Sequence, residues 1–335
     1  MWSRVLACVA AAVAVLGVVG SGSSAPLAPL PAEMAYTDEP PPSSSLSGPP
    51  EAPYLIDRGG NKRRLFRDAF ALAWSPDGSR LAANTAGRLV ILRPGHPATL
   101  LPLAGNIDFR FAWTPDGRRI VYPRGLRIFI ADSDGRHERL LARNALVGLE
   151  QGPFSLSPDG LRLVYAGHTG LFIVRTDGSS APSRIPLRGF PRRDLLWSPA
   201  WSPDGRWIAF NVWAAPFGVY VVRPNGSSQQ RLVAGGFGEV WSPDSTRVAF
   251  LGFHGGRNGV VRVDGSRRWT LPGCTCELRG PGFWPSLNWS PDGSRIAYIS
   301  DRGMTISSVR PDGTGAAAIL QTSPSRPWRP LWRPR

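Results

Sequence analysis

Trp74-Ser75-Pro76-Asp77-Gly78 is the stretch that decides the fold, because it returns along the chain at near-constant intervals. The copies are Trp113-Thr114-Pro115-Asp116-Gly117, Leu156-Ser157-Pro158-Asp159-Gly160, Trp201-Ser202-Pro203-Asp204-Gly205, Trp241-Ser242-Pro243-Asp244-Ser245 and Trp289-Ser290-Pro291-Asp292-Gly293. Successive first residues lie 39, 43, 45, 40 and 48 positions apart. A period near 40 residues is the length of one four-stranded propeller blade. The motif is itself a turn: Pro sets φ for the first turn position, Asp bonds back to the backbone, and Gly takes the left-handed position. The Asp side chains are therefore read as turn residues. The Trp ends an innermost strand, where a large ring fills the wedge between adjacent blades.

The residues after each motif read as strands. Arg80-Leu81-Ala82-Ala83, Arg119-Ile120-Val121-Tyr122, Arg162-Leu163-Val164-Tyr165, Trp207-Ile208-Ala209-Phe210, Arg247-Val248-Ala249-Phe250 and Arg295-Ile296-Ala297-Tyr298 share one shape. Continuous short apolar runs of this kind suit strands buried on both faces. A third segment follows at Leu89–Leu92, Leu126–Ile130, Leu171–Val174, Val219–Val222, Val260–Val263 and Met304–Val309. It runs into Pro94-Gly95, Asp134-Gly135, Asp177-Gly178, Asn225-Gly226, Asp264-Gly265 or Asp312-Gly313, most of them strong hairpin signals. A weaker outer strand closes each blade, as at Arg139-Leu140-Leu141 and Arg231-Leu232-Val233.

Six repeats leave two ends that fit each other. Trp328-Arg329-Pro330-Leu331-Trp332-Arg333-Pro334 copies Trp197-Ser198-Pro199-Ala200-Trp201-Ser202-Pro203, an innermost strand. Glu33-Met34-Ala35-Tyr36 reads as a second strand, Tyr54-Leu55-Ile56-Asp57 as a third and Arg64-Leu65-Phe66, after Gly59-Gly60, as a fourth. Together they make a seventh blade that closes the ring and removes exposed edges. The expected fold is all-β, a seven-bladed β-propeller forming a single domain over 26–335, with a Pro/Ser-rich loop at 40–53.

These blades resemble the TolB-like propeller repeats, whose hallmark is Trp-Ser-Pro-Asp-Gly followed by a short Ile-Ala-Phe-like strand. The resemblance covers roughly Glu33 to Pro334 and is specific for fold. It implies no single function, since the family includes periplasmic binding proteins, the propellers of prolyl-oligopeptidase-like peptidases and sugar-acid lyases. The segment ahead of the strands leaves no room for a further N-terminal domain, so an envelope-transport role tied to such a domain is not expected.

Residues 1–25 look like a targeting segment. Arg4 precedes an apolar run from Val5 to Val19, 15 residues long, and small residues follow from Gly20 to Ala25. That run is within the range of a signal peptide and short of the roughly 18–20 residues of a spanning helix. Export to the periplasm, cell envelope or medium is expected, with a retained N-terminal membrane anchor as the alternative. Cys8 lies near the start of the apolar stretch and not after it, unlike a lipoprotein cysteine. Cys274 and Cys276 stand one residue apart, too close for a disulfide framework, and lack the roughly four ligands of a zinc site. The net charge of +15 is carried almost wholly by Arg, Lys62 being the only lysine. Nucleic acid is not an expected partner of an exported chain; a protein or an anionic cell-envelope polymer is. A monomer is expected.

No Gly-x-Ser-x-Gly elbow is present for a serine hydrolase. Of the four histidines, His96 and His137 belong to turns or outer strands, while His168 and His254 follow second strands. Asp132-Ser133-Asp134-Gly135 hints at a calcium loop but lacks its further carboxylates, and reads as a hairpin turn. No cofactor, metal or catalytic residue is expected.

Binding has better support. Propellers hold partners on loops at one end of the ring. There the sequence places Arg192-Arg193-Asp194, Trp213 and Phe217, His254 and Arg257, Trp284, and Asp301-Arg302. Trp and Arg are the types enriched at binding hot spots, although Trp197 and Trp284 suit packing between blades equally well. The expected function is a non-catalytic scaffold that binds protein or envelope polymer. The alternative is a lyase or hydrolase acting on anionic sugars at the channel mouth.

Overall fold

The computed structural model describes residues 33–39, 52–57, 61–65, 72–93, 96–103, 105, 107, 111–146, 154–190, 196–213, 215–252, 256–272, 287–300, 305–321 and 326–334. Among them every regular element is a strand, and the strands form seven four-stranded antiparallel sheets. The chain is a seven-bladed β-propeller. Blade one is β4 (Leu72–Trp74), β5 (Leu81–Thr85), β6 (Arg88–Leu92) and β7 (Thr99–Leu100). Blade two is β8 (Ala112–Trp113), β9 (Arg119–Arg124), β10 (Arg127–Asp132) and β11 (Arg139–Arg143), and blade three is β12 (Phe154–Leu156), β13 (Arg162–Gly167), β14 (Gly170–Arg175) and β15 (Ser183–Arg184). Blade four is β16 (Leu196–Trp201), β17 (Ile208–Val212), β18 (Gly218–Val222) and β19 (Gln230–Ala234). Blade five is β20 (Gly236–Trp241), β21 (Arg247–Gly252), β22 (Gly259–Arg262) and β23 (Arg268–Thr270). Blade six is β24 (Asn288–Trp289), β25 (Ile296–Ser300), β26 (Thr305–Val309) and β27 (Ala317–Gln321).

Blade seven is the expected composite. Its order is β28 (Arg326–Trp332), β1 (Met34–Glu39), β2 (Ala52–Ile56) and β3 (Lys62–Arg64), one strand from the end of the chain and three from its start. Two boundaries differ from the sequence reading. The outer strand is Lys62–Arg64, not Arg64–Phe66, because Asp57 and Asn61 clasp the turn: Asn61 N and Nδ2 donate to the Asp57 carboxylate at 2.9 Å each, which starts the strand at once. The loop expected at 40–53 ends sooner, since Ala52 and Pro53 already pair with Asp38 and Thr37. The rest of that loop, the segment 1–25, Gly59-Gly60, Cys274 and Cys276 lie outside the described residues.

The core is divided among the seams. Seven apolar clusters each join one blade to the next, from Ala82, Leu89 and Ile91 against Trp113, Ile120 and Tyr122, to Ala35 and Leu55 against Trp74, Leu81 and Ala83. Neighbouring residues of one strand face opposite sheet sides, so Ile120 serves one seam and Val121 the next. This is why the second strands are apolar without alternation. The motif tryptophans are the wedges. Trp113, Trp241 and Trp289 donate Nε1–H to Ala73, Ala200 and Val240 carbonyls of the preceding inner strand at 3.0, 3.0 and 3.1 Å. Arg80, Arg162, Arg247 and Arg333 each stack on the tryptophan of the following blade, 4.5–5.2 Å from its ring centre. Part of the large arginine content is therefore structural.

The turn chemistry is as read. In blade one the buried Ser75 hydroxyl donates to Asp77 at 2.5 Å and accepts from Arg80 N at 2.9 Å, while Gly78 sits at φ 64°. These hydroxyl bonds, with those of Ser79, draw the Asp77 carboxyl down to about 2. Blade five carries Ser245 at φ 60°, where the other motifs have glycine. A left-handed serine is strained, but Ser245 Oγ accepts Asp204 N–H of the previous blade at 2.9 Å. Ser245→Ala keeps the strain and loses this bond, and is expected to cost about 1–2 kcal/mol. Ser245→Gly loses both and is expected to be near neutral. Urea midpoints of the two variants check this; equal losses would refute the compensation.

Candidate functional site

Two sets of connections share one face of the ring. Ile107, on the way from blade one to blade two, donates its N–H to Gly87 O at 2.7 Å and accepts from Asn84 Nδ2 at 2.9 Å, both in or beside the β5–β6 turn. Ala145 and Leu146 likewise bond to Leu126 O and Ala166 O at 3.1 and 2.8 Å. Second-to-third strand turns and blade-to-blade connections thus form a common loop face, and the Ser-Pro-Asp-Gly turns lie at the opposite end.

Of the expected site residues, Trp213, Phe217 and Arg257 are described. Arg192, Arg193, Asp194, His254, Trp284, Asp301 and Arg302 lie outside the described residues. Trp213 and Phe217 belong to the β17–β18 loop of blade four. Their rings are 5.4 Å apart, and Trp213 also meets Phe237 of blade five at 5.8 Å. Both are half-buried, so Trp213 bridges the seam and leaves only part of its ring to solvent. Arg257 is exposed, its carbonyl accepting from Arg268 Nη2 at 3.3 Å. His168 is exposed in the β13–β14 turn, while His137 bonds Asp132 at 2.6 Å in the hairpin Asp132–Arg136. Among the described residues no three His, Cys, Asp or Glu side chains gather as a metal site would require.

The same seam holds a group that the sequence reading missed. Glu239 lies on the inner strand β20, is only 7% exposed, and points with Trp241 toward blade four. Its Oε2 accepts a hydrogen bond from Nδ2 of the fully buried Asn211 on β17. Among the described residues Glu239 Oε1 and Asn211 Oδ1 have no hydrogen-bond partner. Both are acceptors, so a proton on the carboxyl supplies the donor this site lacks. Desolvation acts in the same direction and pushes the Glu239 carboxyl up to about 8, against the opposing pull of its own N–H and the Asn211 amide. A β-bulge between Phe237 and Val240, with Gly238 at φ 62°, sets the strand around it. A signal was available: two residues before the motif, the inner strands carry Leu72, Phe111, Phe154, Pro199, Glu239, Leu287 and Pro330. One acid stands among six apolar residues.

Blades four and five thus share a partly exposed aromatic pair at the loop face and, separately, a buried carboxyl whose pKa is raised to about 8. Such an arrangement can seat an apolar or aromatic group against Trp213 and Phe217. The Glu239 oxygens are sealed from solvent in this state, so they offer no open catalytic acid.

No protein-family model matches the chain. A stretch of 84 residues is 37% identical to the Tol-Pal system protein TolB of Anaeromyxobacter dehalogenans (strain 2CP-C), covering 22% of this chain and 18% of that protein. The match thus spans less than a fifth of that relative's length. Among solved structures, TolB from Acinetobacter baumannii superposes with a TM-score of 0.56 at 16% identity, over 91% of this chain and 67% of that one. Oligogalacturonate lyase from Vibrio parahaemolyticus superposes with a TM-score of 0.59 at 13% identity, over 87% and 86%. At such identities the structural likeness is one of fold.

Proposed function

We propose that this chain, a TolB-like β-propeller, is an exported binding scaffold that holds a protein or an anionic cell-envelope polymer on its loop face without catalysing a reaction. The observation that carries the reading is the Trp213–Phe217 pair, clamped on Phe237 across the seam of blades four and five. An anchored, half-exposed aromatic pair on a rigid sheet is a low-entropy contact surface. Arg257 is exposed on the next blade, and the proposed surface extends to Arg192, Arg193, Asp194, His254, Trp284, Asp301 and Arg302, which are assigned to it from the sequence alone and lie outside the described residues. Export rests on the apolar segment Val5–Val19, with a retained anchor as the other outcome of the same segment. Similarity to TolB agrees with a role in protein partnering.

The test is binding by a partner isolated from an envelope extract and then purified. Arg193→Ala and Trp213→Ala are expected to weaken it by about tenfold or more each, in the range of interface hot spots. Because Trp213 also packs on Phe237, near-ultraviolet circular dichroism must show both variants folded. Unchanged affinity in both would refute the site.

A second reading, a lyase or hydrolase for anionic sugars, draws on the likeness to oligogalacturonate lyase. Its discriminating measurement is metal analysis of the mature protein. Stoichiometric divalent metal that is lost in His168→Ala or His254→Ala would favour the enzyme.

A further inference from the structure

Among the described residues, cross-strand arginine pairs at the two ends of the ring differ in how their charge is met. At the turn end, the cross-strand arginine pairs Arg162–Arg175 and Arg247–Arg262 come with carboxylates. Asp159, Asp177, Asp244 and Asp264 lie 4.0, 2.6, 3.4 and 3.5 Å from those four arginines in turn. At the loop end of blade two the register sets Arg127 of β10 opposite Arg124 of β9 on one side and Arg143 of β11 on the other. Three guanidinium side chains therefore stand in a row. Glu138 pairs with Arg124 at 2.8 Å, and Phe129 underlies it with its ring centre 4.0 Å away. Arg127 and Arg143 are exposed and have no ion pair or hydrogen bond among the described residues.

Like charges directly opposite on adjacent strands, with Cβ atoms about 5 Å apart, destabilise a sheet. Among the described residues this pair has no counter-charge of its own. Leu126, in the turn leading to Arg127, is 50% exposed. In the neighbouring blade the first residue of the third strand is again an exposed arginine, Arg88. The same position is Gly170, Gly218, Gly259, Thr305 and Ala52 in the other blades. At this strand position arginine is thus confined to blades one and two.

We propose that Arg127 and Arg143, with Leu126 in the adjoining turn and Arg88 on the neighbouring blade, form a docking surface for an acidic polypeptide segment. A carboxylate between two guanidinium groups forms charge-assisted bonds and cancels their mutual repulsion. The exposed leucine favours a polypeptide over a sugar chain, because a polypeptide can bring an apolar side chain to it. This surface does not depend on the Trp213 site: either can fail alone.

The experiment measures binding of a labelled peptide of alternating Glu and Leu by fluorescence anisotropy, with polygalacturonate as the rival polyanion. Arg127→Ala with Arg143→Ala is expected to weaken the peptide by about tenfold, as for truncated interfacial charge pairs. Arg136→Ala with Arg206→Ala removes the same charge from the opposite end, at side chains 76% and 74% exposed, and is expected to change it little. Equal weakening in both double variants would overturn the proposal in favour of bulk attraction to a chain of net charge +15. Tighter binding of polygalacturonate through Arg127 and Arg143 would overturn the polypeptide assignment. The double variant relieves repulsion, so it is expected to fold at least as stably as the parent.

Discussion

Replacing Glu239 with glutamine is expected to stabilise the propeller by about 3 kcal/mol at pH 7 and to change nothing at pH 4. The sign follows from the direction of the shift. In the unfolded chain the carboxyl titrates near its ordinary 4.5, whereas in the fold burial between blades four and five raises it to about 8. Below pH 4.5 both states hold the proton and the fold bears no penalty. Between pH 4.5 and 8 only the unfolded chain ionises, so stability falls by about 1.4 kcal/mol per pH unit, and it levels off above pH 8. Glutamine carries no such charge, and its amide supplies the donor that Asn211 Oδ1 lacks. Among the described residues, of the strands with the most extensive packing on β20 only β18 and β21 carry titratable groups. Tyr220 faces blade three, bonding Pro216 O at 2.8 Å, and Arg247 is engaged with Asp244 and Trp289 at the turn end. Neither offers Glu239 a counter-charge. Urea unfolding of both proteins from pH 4 to 9 reads the difference directly. Parallel curves would mean that Glu239 is ionised in the fold and that the buried acceptor pair is satisfied some other way.

A chain truncated after Gln321 is expected to lose its cooperative fold. Removal of β28 takes the inner strand from blade seven and bares the edge of β1, which pairs with it from Met34 to Glu39. It also empties two seams. Trp332 fills the one between blades six and seven and donates to Asn288 O at 3.3 Å. Arg333 forms an ion pair with Glu33, donates to Gly78 O at 2.7 Å and stacks on Trp74 of blade one. Loss of one buried tryptophan alone costs about 3–5 kcal/mol. With the strand pairing added, the sum reaches the 5–15 kcal/mol that usually holds a domain together. Calorimetry and near-ultraviolet circular dichroism of the truncated chain test this, and a synthetic 322–335 peptide is expected to restore both signals in trans. A truncated chain that still melts as one transition at the parent temperature would show that ring closure contributes little.

Much of this architecture was legible because its chemistry is local. The motif turn is closed by bonds between residues two to five apart, as in Ser75, Asp77 and Arg80. Its position therefore marks where each inner strand ends and the second begins. Apolar runs without alternation announced sheets covered on both sides, and the unmatched Trp332 motif announced the split blade. The outer strand of blade seven was misplaced because its register depends on the Asp57–Asn61 clasp, a weaker signal than a Gly-Gly pair.

By itself the sequence determined the blade number, the seam tryptophans and the manner of closure, since each follows from a repeated short-range pattern that any copy of the repeat must satisfy. Only the tertiary structure decided which non-repeating side chains meet. Asn211 and Glu239 are 28 residues apart on different blades, and Trp213 reaches Phe237 across the same seam. Arg127 stands between Arg124 and Arg143 only through the register of three strands. Such contacts depend on strand register and on how adjacent sheets face each other, and those are set by the packing of the whole ring.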